Sequence, residues 1–289
     1  MIFEDRSYIL STKESAGGRG INAASVIHSF GGETLAILPS GGQSGARFEE
    51  LIRACGFPVE IVPIHNELRT NLTITDKQGL TVKLNEAGPA LDKEELDRLE
   101  QATLRRLDGA AWLMLCGSVP PGTPPDFYKR LLEAARKKKV RTVLDTDGDA
   151  LQVGLEAKPA VVHVNQQEAE RLLSAALLTR AHFLDAARKI RAMGAASVLL
   201  SLGSRGAVGA TGKSMVEVLP PRVDALCPIG AGDALAAAFT WAMTKGSSFE
   251  DALRWGVAAG TASAKLPGVR FASLQETEAV YKLVEMRAA

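Results

Sequence analysis

The stretch Pro228-Ile229-Gly230-Ala231-Gly232-Asp233 opens an alanine-rich helical run, Ala234 to Met243. Small residues at the mouth of a helix leave consecutive backbone N–H groups uncovered. The helix N-terminus adds partial positive charge, so the segment can cradle an anion. Asp233 falls in the first helical turn, beside whatever the amides hold. Like charges repel, so a carboxylate there does not help to bind a phosphate, whereas taking the proton from an attacking hydroxyl suits it. An acidic residue that only complements the helix dipole would occupy the same position, and the stretch alone leaves both readings open.

A second glycine cluster, Gly17-Gly18-Arg19-Gly20-Ile21-Asn22, also opens a helix. Its glycines let backbone approach a ligand closely, and Asn22 offers both a donor and an acceptor. It is not a G-x-G-x-x-G fingerprint and no strand precedes it in this chain, which disfavours a dinucleotide fold. Asn165-Gln166-Gln167-Glu168 ends an apolar strand and begins a helix. Asn165 with Glu168 reads as a capping box, and Glu168 could equally help to hold a hydrated Mg²⁺, an ion that keeps several waters and few protein carboxylates. Ser201-Leu202-Gly203-Ser204-Arg205-Gly206 links two strands, either as a plain turn or as a loop along a nucleotide. Gly117-Ser118-Val119-Pro120-Pro121-Gly122 follows a strand end, where ligands sit in open α/β sheets. Arg69 enters a hairpin, and its guanidinium has the shape to fork onto a phosphate.

The elements that must position these residues alternate. Thr34 to Pro39, Ala110 to Cys116, Val140 to Asp145, Ala160 to Val164 and Ser197 to Ser201 are short apolar runs suited to strands buried on both faces. Between them, Asn22 to Phe30, Ala46 to Cys55, Asp126 to Lys139, Gln166 to Leu173 and Ala181 to Met193 carry helical patterns. The rhythm predicts a doubly wound α/β fold with a mostly parallel sheet flanked by helices, and three helices after Gly230. One segment departs from it. From Asn71 to Leu84 apolar and polar residues alternate around Asp76-Lys77-Gln78-Gly79, which predicts an antiparallel hairpin, either a lid over a site or an ordinary edge.

A length of 289 residues suits one large α/β domain, and 46% apolar residues supply a core. With 34 basic and 33 acidic residues, nothing electrostatic favours nucleic acid or an anionic membrane as partner. Cys55, Cys116 and Cys227 are odd in number and far apart, unlike a disulfide framework or a zinc site. The four histidines form no pair at metal-ligand spacing on one helix, and no G-x-S-x-G elbow supports hydrolase chemistry. Met1 to Arg6 shows no apolar run after a basic start and no segment is long enough to span a bilayer, so the expected location is the cytoplasm.

In their order these segments identify more than any of them does singly. The chain resembles the ribokinase-like carbohydrate kinases of the PfkB family. It looks most like the hexose-phosphate branch, which contains the minor 6-phosphofructokinase, 1-phosphofructokinase and tagatose-6-phosphate kinase. The matching stretches are Gly17 to Ala24, Arg69 to Asn71, Asn85 to Pro89, Gly117 to Gly122, Asp145 to Leu151, Asn165 to Glu168, Ser201 to Ala207, Gly230 to Asp233 and Trp255 to Gly260. The resemblance implies a ribokinase-like domain over 17–67 and 87–289, with a β lid from 1–16 and 68–86 that also forms a homodimer contact. It implies Asp233 as catalytic base, with the amides of Gly230, Ala231 and Gly232 stabilising the transferring phosphoryl group. Gly17, Gly18, Gly20 and Asn22 would hold the sugar, and Arg69, Ser118 and Arg6 its existing phosphate. His163, Asn165, Ser201, Gly203, Gly206 and Thr261 would line ATP. Asn165 and Glu168 would organise Mg²⁺ largely through water. Cys227, Ile229, Ser263 and Gly268 lie where relatives offer oxygens to K⁺.

The chain departs from the family pattern in two places. Relatives carry a strand and turn, with an Asp for the sugar hydroxyls, ahead of the stretch matching Ile2 to Ser15; the intact motifs downstream favour a start set too late over a real loss, which would leave a sheet edge open. A Lys common two places before the Asn165 motif is His163 here, which would make a nucleotide contact pH-dependent. The reaction implied is ATP-dependent phosphorylation of a ketohexose phosphate, with fructose 6-phosphate first and fructose 1-phosphate or tagatose 6-phosphate open. The rivals from other classes are a non-catalytic sugar-phosphate or nucleotide sensor and, more distantly, a dehydrogenase.

Overall fold

A computed structural model describes residues 8–76 and 81–289. In chain order its elements are α1 (Arg19–Ser29), β1 (Ala36–Ser40), α2 (Gly42–Arg53), β2 (Val59–Pro63), β3 (Asn71–Thr75), β4 (Thr81–Asn85), α3 (Lys93–Arg105) and β5 (Trp112–Cys116). There follow α4 (Phe127–Lys137), β6 (Arg141–Asp145), α5 (Gly148–Leu155), β7 (Val161–Asn165), α6 (Gln166–Leu173), α7 (Arg180–Ala192) and β8 (Ser197–Ser201). A 3₁₀ turn (Gly203–Arg205) leads to β9 (Ala207–Ala210), β10 (Met215–Leu219), α8 (Ala231–Thr244), α9 (Phe249–Ala264), α10 (Leu274–Tyr281) and β11 (Glu285–Ala288).

The seven-stranded sheet runs β11-β10-β9-β8-β7-β6-β5. Strands β5 to β8 are parallel, while β9, β10 and β11 pair antiparallel, so the sheet is mixed where the sequence predicts a mostly parallel one. The reason is local. Gly203 and Gly206 turn the chain straight back after β8, with φ +61° and +89°, and leave no room for a crossover helix. The sequence pattern also misses β11, whose four residues are all exposed and lack alternation. Valine and leucine fill the central strands: Val143, Leu144, Val162, Val164, Val198, Leu199 and Leu200 are fully buried, because helices cover both faces. One core cluster packs α4 to α7 against the sheet, and another packs α8 to α10 against its opposite face.

Strands β1 and β2 form a separate parallel pair, and β3 with β4 an antiparallel hairpin in which Leu72 faces Leu84. Residues 77–80 of the expected turn lie outside the described residues. Leu72, Ile74 and Leu84 are exposed, as are Tyr8, Ile9 and Leu10 in a segment without regular structure. Among the described residues β1 and β5 each have one unpaired edge, and both line a cavity of about 3900 Å³. No helix of the described residues is long and apolar enough to cross a membrane.

Candidate active site

The parallel strands end together. Cys116 of β5 is in register with Asp145 of β6, and Asn165 of β7 with Ser201 of β8. Onto this carboxyl edge come the N-termini of α1 and α8, joined by small residues. Ala23 and Val26 of α1 pack against Ala234, Ala237 and Ala238 of α8. The alanines bring the two helices close, so their first turns share one crevice. Gly230 caps α8 at φ +81°, a left-handed conformation that favours glycine, and a Cβ there would strike Phe271 at 2.9 Å. A Cβ on Gly232 would lie 3.2 Å from Cε1 of His163.

Asp233, Asn22, Arg69 and Ser118 all line the cavity of about 3900 Å³. Asn22 Nδ2 donates to Asp233 Oδ2 at 2.6 Å, across 211 residues of sequence. Burial first, then the neighbouring Asp145 charge, pushes the Asp233 carboxyl up to about 6, while the Asn22 bond, Arg19 and His163 pull it back. A base of that strength is ionised at neutral pH yet still accepts a proton readily. Arg69 reaches Ser118 Oγ at 3.4 and 3.5 Å, and both side chains are exposed to the crevice. Gly17, Gly18 and Gly20 line it as well, and so do Cys227, Ile229 and Gly268, whereas Ser263 is buried and accepts the N–H of Ala272. Two N–H groups, of Leu226 and Cys227, donate to the Ala264 carbonyl, which brings the 227–229 and 263–268 loops side by side. Arg6 lies outside the described residues.

The nucleotide candidates lie elsewhere along the strand ends. Asn165 and Glu168 form the anticipated capping box: Asn165 Oδ1 accepts the Glu168 N–H at 2.9 Å, and Glu168 Oε2 accepts the Asn165 N–H at 2.8 Å. Glu168 Oε1 keeps a further role, described below. Gly203 is exposed and Ser201 half-buried, while Gly206 is buried, with the Val218 carbonyl where a Cβ would stand. Thr261 spends its hydroxyl on the Val257 carbonyl of its own helix. His163 is buried. Its Nε2 lies 3.2 Å from Ser201 Oγ and its Nδ1 3.1 Å from Asp145 Oδ2, a contact of charges rather than a well-aligned hydrogen bond. Burial alone would lower the His163 pKa, but the Asp145 carboxylate outweighs it and raises it.

Sequence reasoning assigned no role to three residues that the fold gathers here. Arg19 donates to Asp145 Oδ1 at 2.9 Å, Asp147 Oδ2 at 3.2 Å and Glu168 Oε1 at 2.8 Å. The acidic pair Asp145-Thr146-Asp147 after an apolar strand was the available signal, since ligands and charges collect at such strand ends. Both oxygens of Asp145 and of Glu168 are engaged by Arg19, His163 and the Asn165 N–H, so these residues fit Mg²⁺ through its waters rather than as direct ligands.

Comparison with known proteins identifies the family. Residues 3–277 match the family model described as pfkB family carbohydrate kinase. The chain is 33% identical over 268 residues to ATP-dependent 6-phosphofructokinase isozyme 2 of Escherichia coli (strain K12), covering 92% of this chain and 86% of that protein. It is 33% identical over 249 residues to 1-phosphofructokinase of Rhodobacter capsulatus, covering 85% and 78%. Among solved structures, phosphofructokinase-2 from Escherichia coli in complex with substrates and products superposes with a TM-score of 0.91 at 32% identity, over 98% of this chain and 92% of that one. The fold is therefore ribokinase-like α/β.

Proposed function

We propose that this chain, which belongs to the pfkB family of carbohydrate kinases, transfers the γ-phosphoryl group of ATP to a hydroxyl of a ketohexose phosphate. Fructose 6-phosphate is the first candidate. The observation that carries the reading is Asp233 at the mouth of α8, hydrogen-bonded to Asn22 and lining the same large cavity as Arg69 and Ser118.

In this reading Gly17, Gly18, Gly20 and Asn22 hold the sugar, and Arg69 with Ser118 its existing phosphate. Asp233 takes the proton from the acceptor oxygen as that oxygen attacks. The N–H groups of Gly230 and Gly232 face the charge that develops on the transferring group, whereas the Ala231 N–H is held by the Pro228 carbonyl at 3.2 Å, contrary to the expectation from sequence. The nucleotide lies along Asn165, Ser201, Gly203, Gly206 and Thr261, with His163 fixing the turn beneath. Asn165 and Glu168 would hold Mg²⁺ largely through water, and the ion would offset phosphate charge. The 227–229 and 263–268 loops, with Ser263, offer oxygens to K⁺. The hairpin β3–β4 with 8–16 closes as a lid and presents Leu72, Ile74 and Leu84 to a second copy, giving a homodimer. Its place of work is the cytoplasm.

The likeness to a 1-phosphofructokinase keeps fructose 1-phosphate as a second substrate to test. Purified protein with ATP and Mg²⁺ should release ADP only when a sugar phosphate is added, and a panel of fructose 6-phosphate, fructose 1-phosphate and tagatose 6-phosphate ranks the substrates. Asp233→Asn should lose about 10²–10⁴-fold in turnover while still binding sugar phosphate. Turnover should fall as pH drops below about 6, where Asp233 becomes protonated. A near-native rate in Asp233→Asn removes the base assignment.

A further inference from the structure

We propose that Arg19 is a positioning residue for this transfer: by bridging Asp145, Asp147 and Glu168 it locks the first turn of α1, and Asn22 with it, onto the strand ends and places a fixed positive charge behind Asp233. The inference rests on Asp233 as the base.

Arg19 and Asn22 are three residues apart at the start of α1, so they share a face. One reaches the acidic cluster and the other reaches the base. The first turn of α1 is therefore tied at two points to elements more than a hundred residues away, β6 and α5–α6 through Arg19 and α8 through Asn22. The Asp145 and Glu168 side chains are each only 2% exposed, and a buried carboxylate without a cation is strongly unfavourable. A planar guanidinium can satisfy three carboxylates at once because its donors point in fixed, divergent directions. Arg19 itself is 27% exposed and lines the crevice, so its charge is felt there.

The charged and titratable groups that face Asp233 come from every neighbouring element. Asn22 and Arg19 stand on α1, Cys116 on β5, Asp145 on β6 and His163 on β7, with Asp147 and Glu168 beyond Arg19. Burial and the Asp145 charge raise the proton affinity of Asp233, and the Asn22 bond, Arg19 and His163 oppose them. Removing Arg19 leaves Asp145 facing Asp233 with one cation fewer, so Asp233 should hold its proton to higher pH.

The test compares Arg19→Gln and Arg19→Lys with the native chain. The readouts are thermal unfolding, the pH dependence of kcat/KM for the sugar phosphate, and calorimetric binding of fructose 6-phosphate without nucleotide or metal. Arg19→Gln should bind the sugar phosphate about tenfold more weakly and turn over about 10- to 100-fold more slowly. Its acid limb should move up by about half a pH unit or more. Arg19→Lys keeps the charge but loses the fork, so the limb should return to the native position while a several-fold loss of kcat remains. The inference is overturned if Arg19→Gln shows only a lower unfolding temperature, with binding, limb and kcat native. If Arg19→Gln does not fold, an Arg19→Lys chain indistinguishable from native overturns it equally. Asp233→Asn, measured alongside, separates the two ideas: active Asp233→Asn sinks the base, while sugar-phosphate binding by Arg19→Gln still decides the role of Arg19.

Discussion

Two helix starts in this protein are built from the same parts. At α3, Asp92 caps the helix and Glu95 returns to the Asp92 N–H at 2.8 Å. At α6, Asn165 caps and Glu168 returns to the Asn165 N–H, again at 2.8 Å. In both, the glutamate side chain is 2% exposed. The difference lies in what meets its other oxygen. Glu95 Oε1 accepts the backbone N–H of His65 at 2.7 Å and lies 2.8 Å from the His65 ring, which is 76% exposed. Glu168 Oε1 accepts from Arg19 at the head of the crevice, within a cluster that includes Asp145 and Asp147. A capping box is thus a local device that says nothing about function. Its neighbours across the fold decide whether the same carboxylate serves a helix alone or a helix and a reaction.

Glu168→Gln should sharpen that contrast most. It weakens the tie to Arg19 and takes a charge from the proposed Mg²⁺ site, so turnover should fall about 10- to 100-fold with a higher Mg²⁺ requirement in steady-state assays. Glu95→Gln should cost about 1–2 kcal/mol of stability in chemical denaturation, with turnover within about twofold of native. The pH dependence has a defined sign. Burial works against the Glu95 charge, but the N–H groups of Asp92 and His65 hold its pKa below the ordinary 4.5. Its stabilisation is therefore present above pH 4.5 and fades as pH falls through the folded value, so the gap between native and Glu95→Gln should close in acid. The smallest effect belongs to His65→Ala, an exposed partner worth less than about 1 kcal/mol and without influence on turnover. If Glu95→Gln and Glu168→Gln lost turnover alike, the contrast between the two starts would fail.

Much of the site was legible as short segments. Gly230 to Asp233, Asn165 to Glu168 and Gly17 to Asn22 each announce a helix start, and each is one. The strand Ser197–Ser201 and the helix Gln166–Leu173 fall where periodicity puts them. The antiparallel half of the sheet was harder to read, because a buried run such as Ala207–Ala210 carries no mark of strand direction. Arg19 was hidden for another reason. Among glycines it looks like a solvated residue, and only the order β5-β6-β7 brings three carboxylates to it.

The sequence by itself determined what depends on covalent neighbours: where helices begin, which glycines can take positive φ, and which residue types stand at strand ends. The tertiary structure alone decided the pairings that span the chain, Asn22 with Asp233 and Arg19 with Asp145 and Glu168. The physical reason is range. Backbone sterics and capping act within a few residues, whereas burial of the whole core selects one sheet order, and that order sets which distant charges must share a space too poor in water to leave them unpaired.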